Sequence, residues 1–166
     1  MDLYQAALSY VARYATSREN LRRILWRRIC RHAARTGTDA PEPESVDAEI
    51  DRILERLQAM GAVDDAAYAA TQVRTLRNRG RSARAIRSRL QAKGLDAQAI
   101  DTAMASDQPD SEERAAAHRY ARRRRLGPYG GDSQDTERRR RALAALCRAG
   151  FSYSVAQEVV DTLPHS

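Results

Sequence analysis

The chain has 166 residues, 29 of them basic and 22 acidic, giving a net charge of +7 and a sequence pI near 10.0. That length admits one domain or a few small modules, and the charge points to a polyanionic or acidic partner. Two cysteines, Cys30 and Cys147, are too sparse for a disulfide-stapled secreted fold and are expected as free thiols, while the longest uncharged run, residues 3–12, is too short to span a bilayer. Asp2 is a poor start for a signal peptide, so a soluble, cytoplasmic protein is expected. Arg outnumbers Lys 28 to 1, which suits bidentate contacts to phosphate or carboxylate but would also follow from a GC-rich genome.

Taken in order, Leu3, Ala7, Tyr10, Val11 and Tyr14 trace one face of a first helix that stops at Thr16. Thr16 and Glu19 have capping-box spacing for a second helix with Leu21, Ile24, Leu25 and Ile29 inside. From 31 to 45 the periodicity lapses, and Gly37, Pro41 and Pro43 predict an exposed loop. A third helix opens near Asp47, with Ile50, Ile53, Leu54, Leu57 and Met60 inside, and ends at Gly61. Asp64 and Asp65 can cap a fourth, through Tyr68, Ala69, Val73 and Leu76. After Gly94, Asp96 starts a short helix with Ile100, Ala103 and Met104, and a linker with Pro109 follows. Residues 112–126 predict a long helix ending in Arg122 to Arg125, which suits the negative end of its dipole. The turn GPYGGDS precedes a helix around Leu143, Leu146 and Cys147, and a last helix after Ser152 buries Val155, Val159, Val160 and Leu163.

Residues 74–94, RTLRNRGRSARAIRSRLQAKG, carry eight cationic side chains and no carboxylate. They read as parts of two amphipathic helices joined at Gly80. Arg74, Arg77 and Arg81 lie one position round from the apolar seam of the first, and Arg84 and Arg87 one position on from Ile86 and Leu90 in the second, which Ser82 can cap. Like charges without a local counterion repel, so this stripe implies a binding partner or a distant acidic patch. Because Arg77 and Arg84 lie off the seam, replacing both with Glu is expected to spare the fold and weaken binding. Arg122–Arg125 and Arg138–Arg141 wrap around their helices and divide between binding and solvated or paired surface.

Nine helices in three triplets suggest a repeat. LQAKGL, residues 90–95, falls on LCRAGF, residues 146–151, with an offset of 56, while Ser17, Leu21 and Leu25 fall on Ser82, Ile86 and Leu90 with an offset of 65. The predicted fold is all-α, an elongated curved stack of three tandem three-helix repeats at 1–61, 62–108 and 109–166, the 31–45 loop absorbing the extra length of the first. No segment alternates with the period of a strand.

Catalytic chemistry finds little support. His32, His118 and His165 lack partners at metal-ligand spacing, the one lysine excludes a phosphate-binding GxxxxGK[ST] loop, and the Asp64–Asp65 pair reads as a helix cap. Neither an enzyme nor a cofactor is expected. Paired helices around Gly80 and Gly150 leave a sequence-specific helix-turn-helix repressor as a second reading.

The segments AALSYVARYATSRENLRRIL (6–25), DDAAYA (64–69), GRSARAIRSRLQAKGL (80–95) and LCRAGFSYSVAQEVV (146–160) resemble the RecX family of bacterial regulators of the RecA recombinase. The resemblance spans most of the chain in the right order. The insertion at 30–45 departs from the family pattern, as does the first junction, where Lys-Gly is expected. The resemblance implies a monomeric rod lying along the groove of a RecA filament on single-stranded DNA. It would inhibit ATP hydrolysis, strand exchange and filament growth, in the setting of recombination, DNA repair and the SOS response, with no catalytic residues. Expected contacts to RecA, or non-specifically to single- and double-stranded DNA, come from Arg22, Arg74, Arg77, Arg81, Arg84, Arg87, Lys93, Arg122, Arg125 and Arg140.

Overall fold

A computed structural model describes residues 2–39, 42–105, 108–130 and 135–162. Among them are nine α-helices and one 3-10 turn: α1 (Leu3–Val11), α2 (Arg18–Thr36), α3 (Pro43–Ala59), α4 (Asp65–Asn78), α5 (Ala83–Ala92), α6 (Ala97–Met104), α7 (Pro109–Arg124), the turn at Gly127–Tyr129, α8 (Thr136–Arg148) and α9 (Tyr153–Asp161). None of the described residues forms a strand. No helix among them is long and apolar enough to cross a membrane.

The core is divided in three. Leu21, Leu25, Ile50, Leu54 and Leu57 centre one cluster in α1–α3. Tyr68, Leu76, Ile86, Leu90 and Ile100 make a second in α4–α6, and Ala116, Leu146, Phe151 and Val159 a third in α7–α9. The accessible surface is 10811 Å², whereas a compact monomer of 18.6 kDa would expose about 8,200 Å². The excess is what a row of three small cores, each enclosed mainly by its own three helices, must show. The molecule is an elongated all-α stack.

Most helix starts follow the capping chemistry read from sequence. Asp64, Ser82, Asp96 and Ser152 each accept a backbone N–H three residues on. Several other expectations are corrected. The cap of α2 is Ser17, not Thr16, whose hydroxyl instead receives the Asn20 side-chain amide at 2.8 Å. Helix α1 ends at Val11, which leaves Tyr14 outside it and exposed, and Met60 at the end of α3 is exposed as well. The predicted 31–45 loop is mostly helical: α2 continues to Thr36, where Gly37 in the left-handed conformation stops it, and α3 begins at Pro43. Arginine and alanine hold a helix well without an apolar seam, so loss of periodicity did not mean loss of helix. Pro109 likewise begins α7 rather than lying in a linker, because the first helical position needs no N–H donor. Leu163, His165 and the end of the GPYGGDS turn fall outside the described residues.

Candidate functional site

The second helices of the three triplets meet end to end. Ser17, the N-cap of α2, donates its hydroxyl to the carbonyl of Lys93, the C-cap of α5, at 2.5 Å, and accepts the Asn20 N–H at 3.2 Å. Ser82, the N-cap of α5, repeats this with the carbonyl of Ala149, the C-cap of α8, at 2.7 Å, and the Ala85 N–H at 3.2 Å. One hydroxyl thus satisfies an orphan donor in its own helix and an orphan acceptor in the next. Both serines are fully buried. The offsets are those of the sequence repeat, 65 from Ser17 to Ser82 and 56 from Lys93 to Ala149.

A carboxylate supports each clasp. The N–H of Arg18 donates to Asp65 Oδ1 at 2.7 Å, and at the matching position the N–H of Ala83 donates to Glu113 Oε2 at 3.0 Å. Gly94 and Gly150 follow the two C-caps in left-handed conformations, close against Glu19 and Ser82 respectively, where a side chain would collide. The outcome is a spine, α8–α5–α2, in which the negative end of each helix abuts the positive end of the next.

Arginines run the length of this spine, and the structure sorts them. Arg74, Arg81 and Arg84 are exposed and have no hydrogen-bond or ion-pair partner among the described residues; the same holds for Arg79 and Arg89, which were not among the expected contacts although they belong to the same run. Arg87 is exposed and paired with Asp101. Lys93 is half-buried, with its Nζ 3.4 Å from Asn20 Oδ1. Arg22, half-buried, is held by Asp51, Asp47 and Glu19. Its hydrogen bond, with that of Arg18, holds the Asp51 carboxyl below the usual aspartate value against the opposing effect of desolvation.

Arg77 is the clearest departure from expectation. Its guanidinium pairs with Glu113 between α4 and α7, with only 12% and 18% of the two side chains exposed. Two of the eight charges of 74–94 therefore have counterions, Arg77 in Glu113 and Arg87 in Asp101. Both lie downstream of the stretch, which is why reading it in isolation missed them. Replacing Arg77 with Glu would set two carboxylates together inside a junction, so the expectation that this change spares the fold is withdrawn. Arg77 Nε is buried and has no partner among the described residues.

In the third triplet, Arg122 lies over the Tyr129 ring at 5.2 Å, and exposed Arg140 makes two 3.0 Å bonds to Glu137. Arg125 is exposed, at the left-handed C-cap of α7. Among the described residues no group of three or more His, Cys, Asp or Glu could hold a metal, and Cys30 and Cys147 are free thiols. The turns at Gly80 and Gly150 are packed against α7 and α5.

Residues 64–104 match the family model described as RecX, second three-helix domain. The regulatory protein RecX of Myxococcus xanthus is 37% identical over 163 residues, which cover 98% of this chain and 86% of the relative. A crystal structure of regulatory protein RecX superposes with a TM-score of 0.68 at 24% identity, covering 96% of this chain and 72% of the other. That of RecX from Lactobacillus salivarius gives 0.67 at 22%, covering 95% and 92%. The two crystal structures speak for the fold, and identity over nearly the whole length speaks for kinship: the chain belongs to the RecX family of regulatory proteins.

Proposed function

We propose that the protein binds a RecA filament assembled on single-stranded DNA and inhibits its ATP hydrolysis, strand exchange and growth, acting in the cytoplasm as a monomer without chemistry of its own. The observation that carries this reading, beside family membership, is the end-to-end spine. Three short helices joined by hydroxyl clasps give one extended support, and unpaired Arg74, Arg81 and Arg84 lie in and beside its middle segment. A helical filament presents repeating sites along its length. An elongated binder can engage several at once, so contacts that are individually weak combine. Arg122, Arg125 and Arg140 would extend the contact toward the third triplet, whereas Arg22, Arg77 and Arg87 serve first to hold their own helices in place.

The test is ATP hydrolysis by RecA on single-stranded DNA. Addition of the protein should lower turnover in a dose-dependent way, and Arg81→Glu with Arg84→Glu should raise the concentration required about tenfold without shifting the unfolding midpoint. Unchanged turnover at saturating protein rejects the reading.

A further inference from the structure

Helix α2 is longer than its counterparts for a reason the stack does not supply. The C-cap of α5 is Lys93, and the position 65 residues earlier is Arg28; α2 runs on past it to Thr36, eight residues or about 12 Å. In this extension only Ala33 is buried, so little apolar surface is gained by it. What it does carry is charge. Arg23, Arg27, Arg31 and Arg35 follow one another at four-residue steps along a single ridge, with Arg28 and His32 beside them. All six are exposed. Arg23 pairs with Glu19, and the Nε atoms of Arg27 and Arg31 each turn back to the carbonyl one turn earlier, at 3.2 Å. Among the described residues no carboxylate pairs with Arg27, Arg28, Arg31 or Arg35.

We infer that residues 27–36 form a docking helix for the phosphate backbone of duplex DNA, distinct from the surface that would meet a recombinase. An α-helix with its side chains is about 10–12 Å across and the major groove about 12 Å wide, so a helix solvated round most of its circumference can enter and offer guanidinium groups to both walls. Four arginines within nine positions, lacking carboxylate partners among the described residues, form a local excess that polyanion binding relieves by counterion release. Single-stranded DNA is the poorer fit because this ridge offers no stacking platform. It holds no Phe, Tyr or Trp, and the neighbouring Trp26 is half-buried and bonded through its indole N–H to Asp47 at 2.8 Å. With its guanidinium groups assigned to the phosphates of the groove walls, the helix is expected to bind with little sequence preference.

The inference extends the nucleic-acid side of the proposed function and does not depend on the recombinase. Its test compares the parent protein with Arg27→Gln, Arg31→Gln, Arg35→Gln, a change that keeps good helix formers at all three positions. Binding of a fluorescent duplex and of a single strand of equal length is followed by anisotropy over a range of salt, with circular dichroism confirming helix content. The variant should bind duplex about tenfold more weakly, with a salt slope smaller by about 3, while its single-strand affinity and its effect on RecA turnover change less than about twofold. Duplex affinity equal to the parent's in the folded variant overturns the inference, and so does an equal loss on single strands. Failure of the parent protein to inhibit RecA would refute the proposed function and leave the duplex measurement valid. Should the triple Gln variant lose helix content, Arg35→Gln alone, in the exposed last turn, is expected to lower the slope by about 1, and no change would count against the docking helix.

Discussion

The junction between the first and second triplets and that between the second and third are built on one plan and finished differently. Both have the serine clasp, a carboxylate on the adjoining backbone N–H and a left-handed glycine after the C-cap. At the second junction the same Glu113 that receives the Ala83 N–H also holds Arg77, and Gly80 lies so close to α7 that an added Cβ would come within 2.7 Å of the Tyr120 backbone nitrogen. At the first, the position matching Gly80 is Ala15, which is exposed, and the Arg18 guanidinium turns back to Asp51 and Gln58 of its own triplet. Lys93 and Arg23 cross this junction only through solvent-exposed or half-exposed polar contacts. The clasp sets which residues meet; the surrounding side chains set how closely the triplets approach. The second junction is close and largely dry, the first more open and polar.

The largest effect expected from this difference is at Glu113. Its replacement by Ala leaves Arg77 without its carboxylate and the Ala83 N–H without an acceptor, and should cost about 3 kcal/mol. Asp65→Ala, the matching change at the first junction, removes one N–H contact at a helix start and should cost about 1 kcal/mol. Denaturant titration of both variants measures the asymmetry. Equal losses would mean that the buried ion pair adds nothing beyond the shared hydrogen bond.

Next in size is Gly80→Ala. Left-handed strain alone costs about 1 kcal/mol, and Gly61→Ala isolates it, since Gly61 has φ +69° against +68° for Gly80 but nothing within 4 Å of an added Cβ. At Gly80 the collision is with backbone atoms of Tyr120 and Ala116, which no rotamer change relieves, so the loss should reach roughly 2–3 kcal/mol. A shift in unfolding midpoint no larger than that of Gly61→Ala would show that the third triplet can move away without penalty.

The plan of these junctions was present in the sequence as two offsets, and its purpose was not. Ser17 and Ser82 stood out as aligned positions, of which only Ser82 read as a cap, and Lys93-Gly94 fell on Ala149-Gly150, but nothing in one dimension says that the first pair bonds to the second. The helix-capping residues and apolar seams were legible because they are local and periodic. The extension of α2 was not, since a helix rich in Arg and Ala with one buried residue has no apolar period to read. The candidate site was half legible: the cationic run 74–94 is plain, yet which of its members are free depends on Glu113 and Asp101, 36 and 14 residues from their partners. Arg77 was misjudged for that reason, and Arg79 and Arg89 were passed over because neither follows the rhythm of the other arginines.

The smallest effect belongs to the first triplet, beside the open junction, and concerns pH. Asp51 lies between Arg22 and Arg18, and their hydrogen bonds lower its pKa beneath the ordinary 3.8 despite some desolvation. A carboxyl more acidic in the folded than in the unfolded chain adds stability that is fully present above the unfolded value and is lost as pH falls through the folded one. Asp51→Asn should therefore lower stability at neutral pH by under about 1 kcal/mol, as befits a pair with 38% of the carboxylate side chain exposed, and its stability curve should meet that of the parent only once pH has fallen below the lowered folded-state pKa. Salt should shrink the gap at neutral pH, because water reaches this cluster. The Arg77–Glu113 pair, being mostly buried, should lose much less of its contribution at the same ionic strength. Equal salt sensitivity of the Asp51→Asn and Glu113→Ala differences would show that the Arg77–Glu113 pair is screened as fully as the exposed cluster of the first triplet, and that the second junction is not dry.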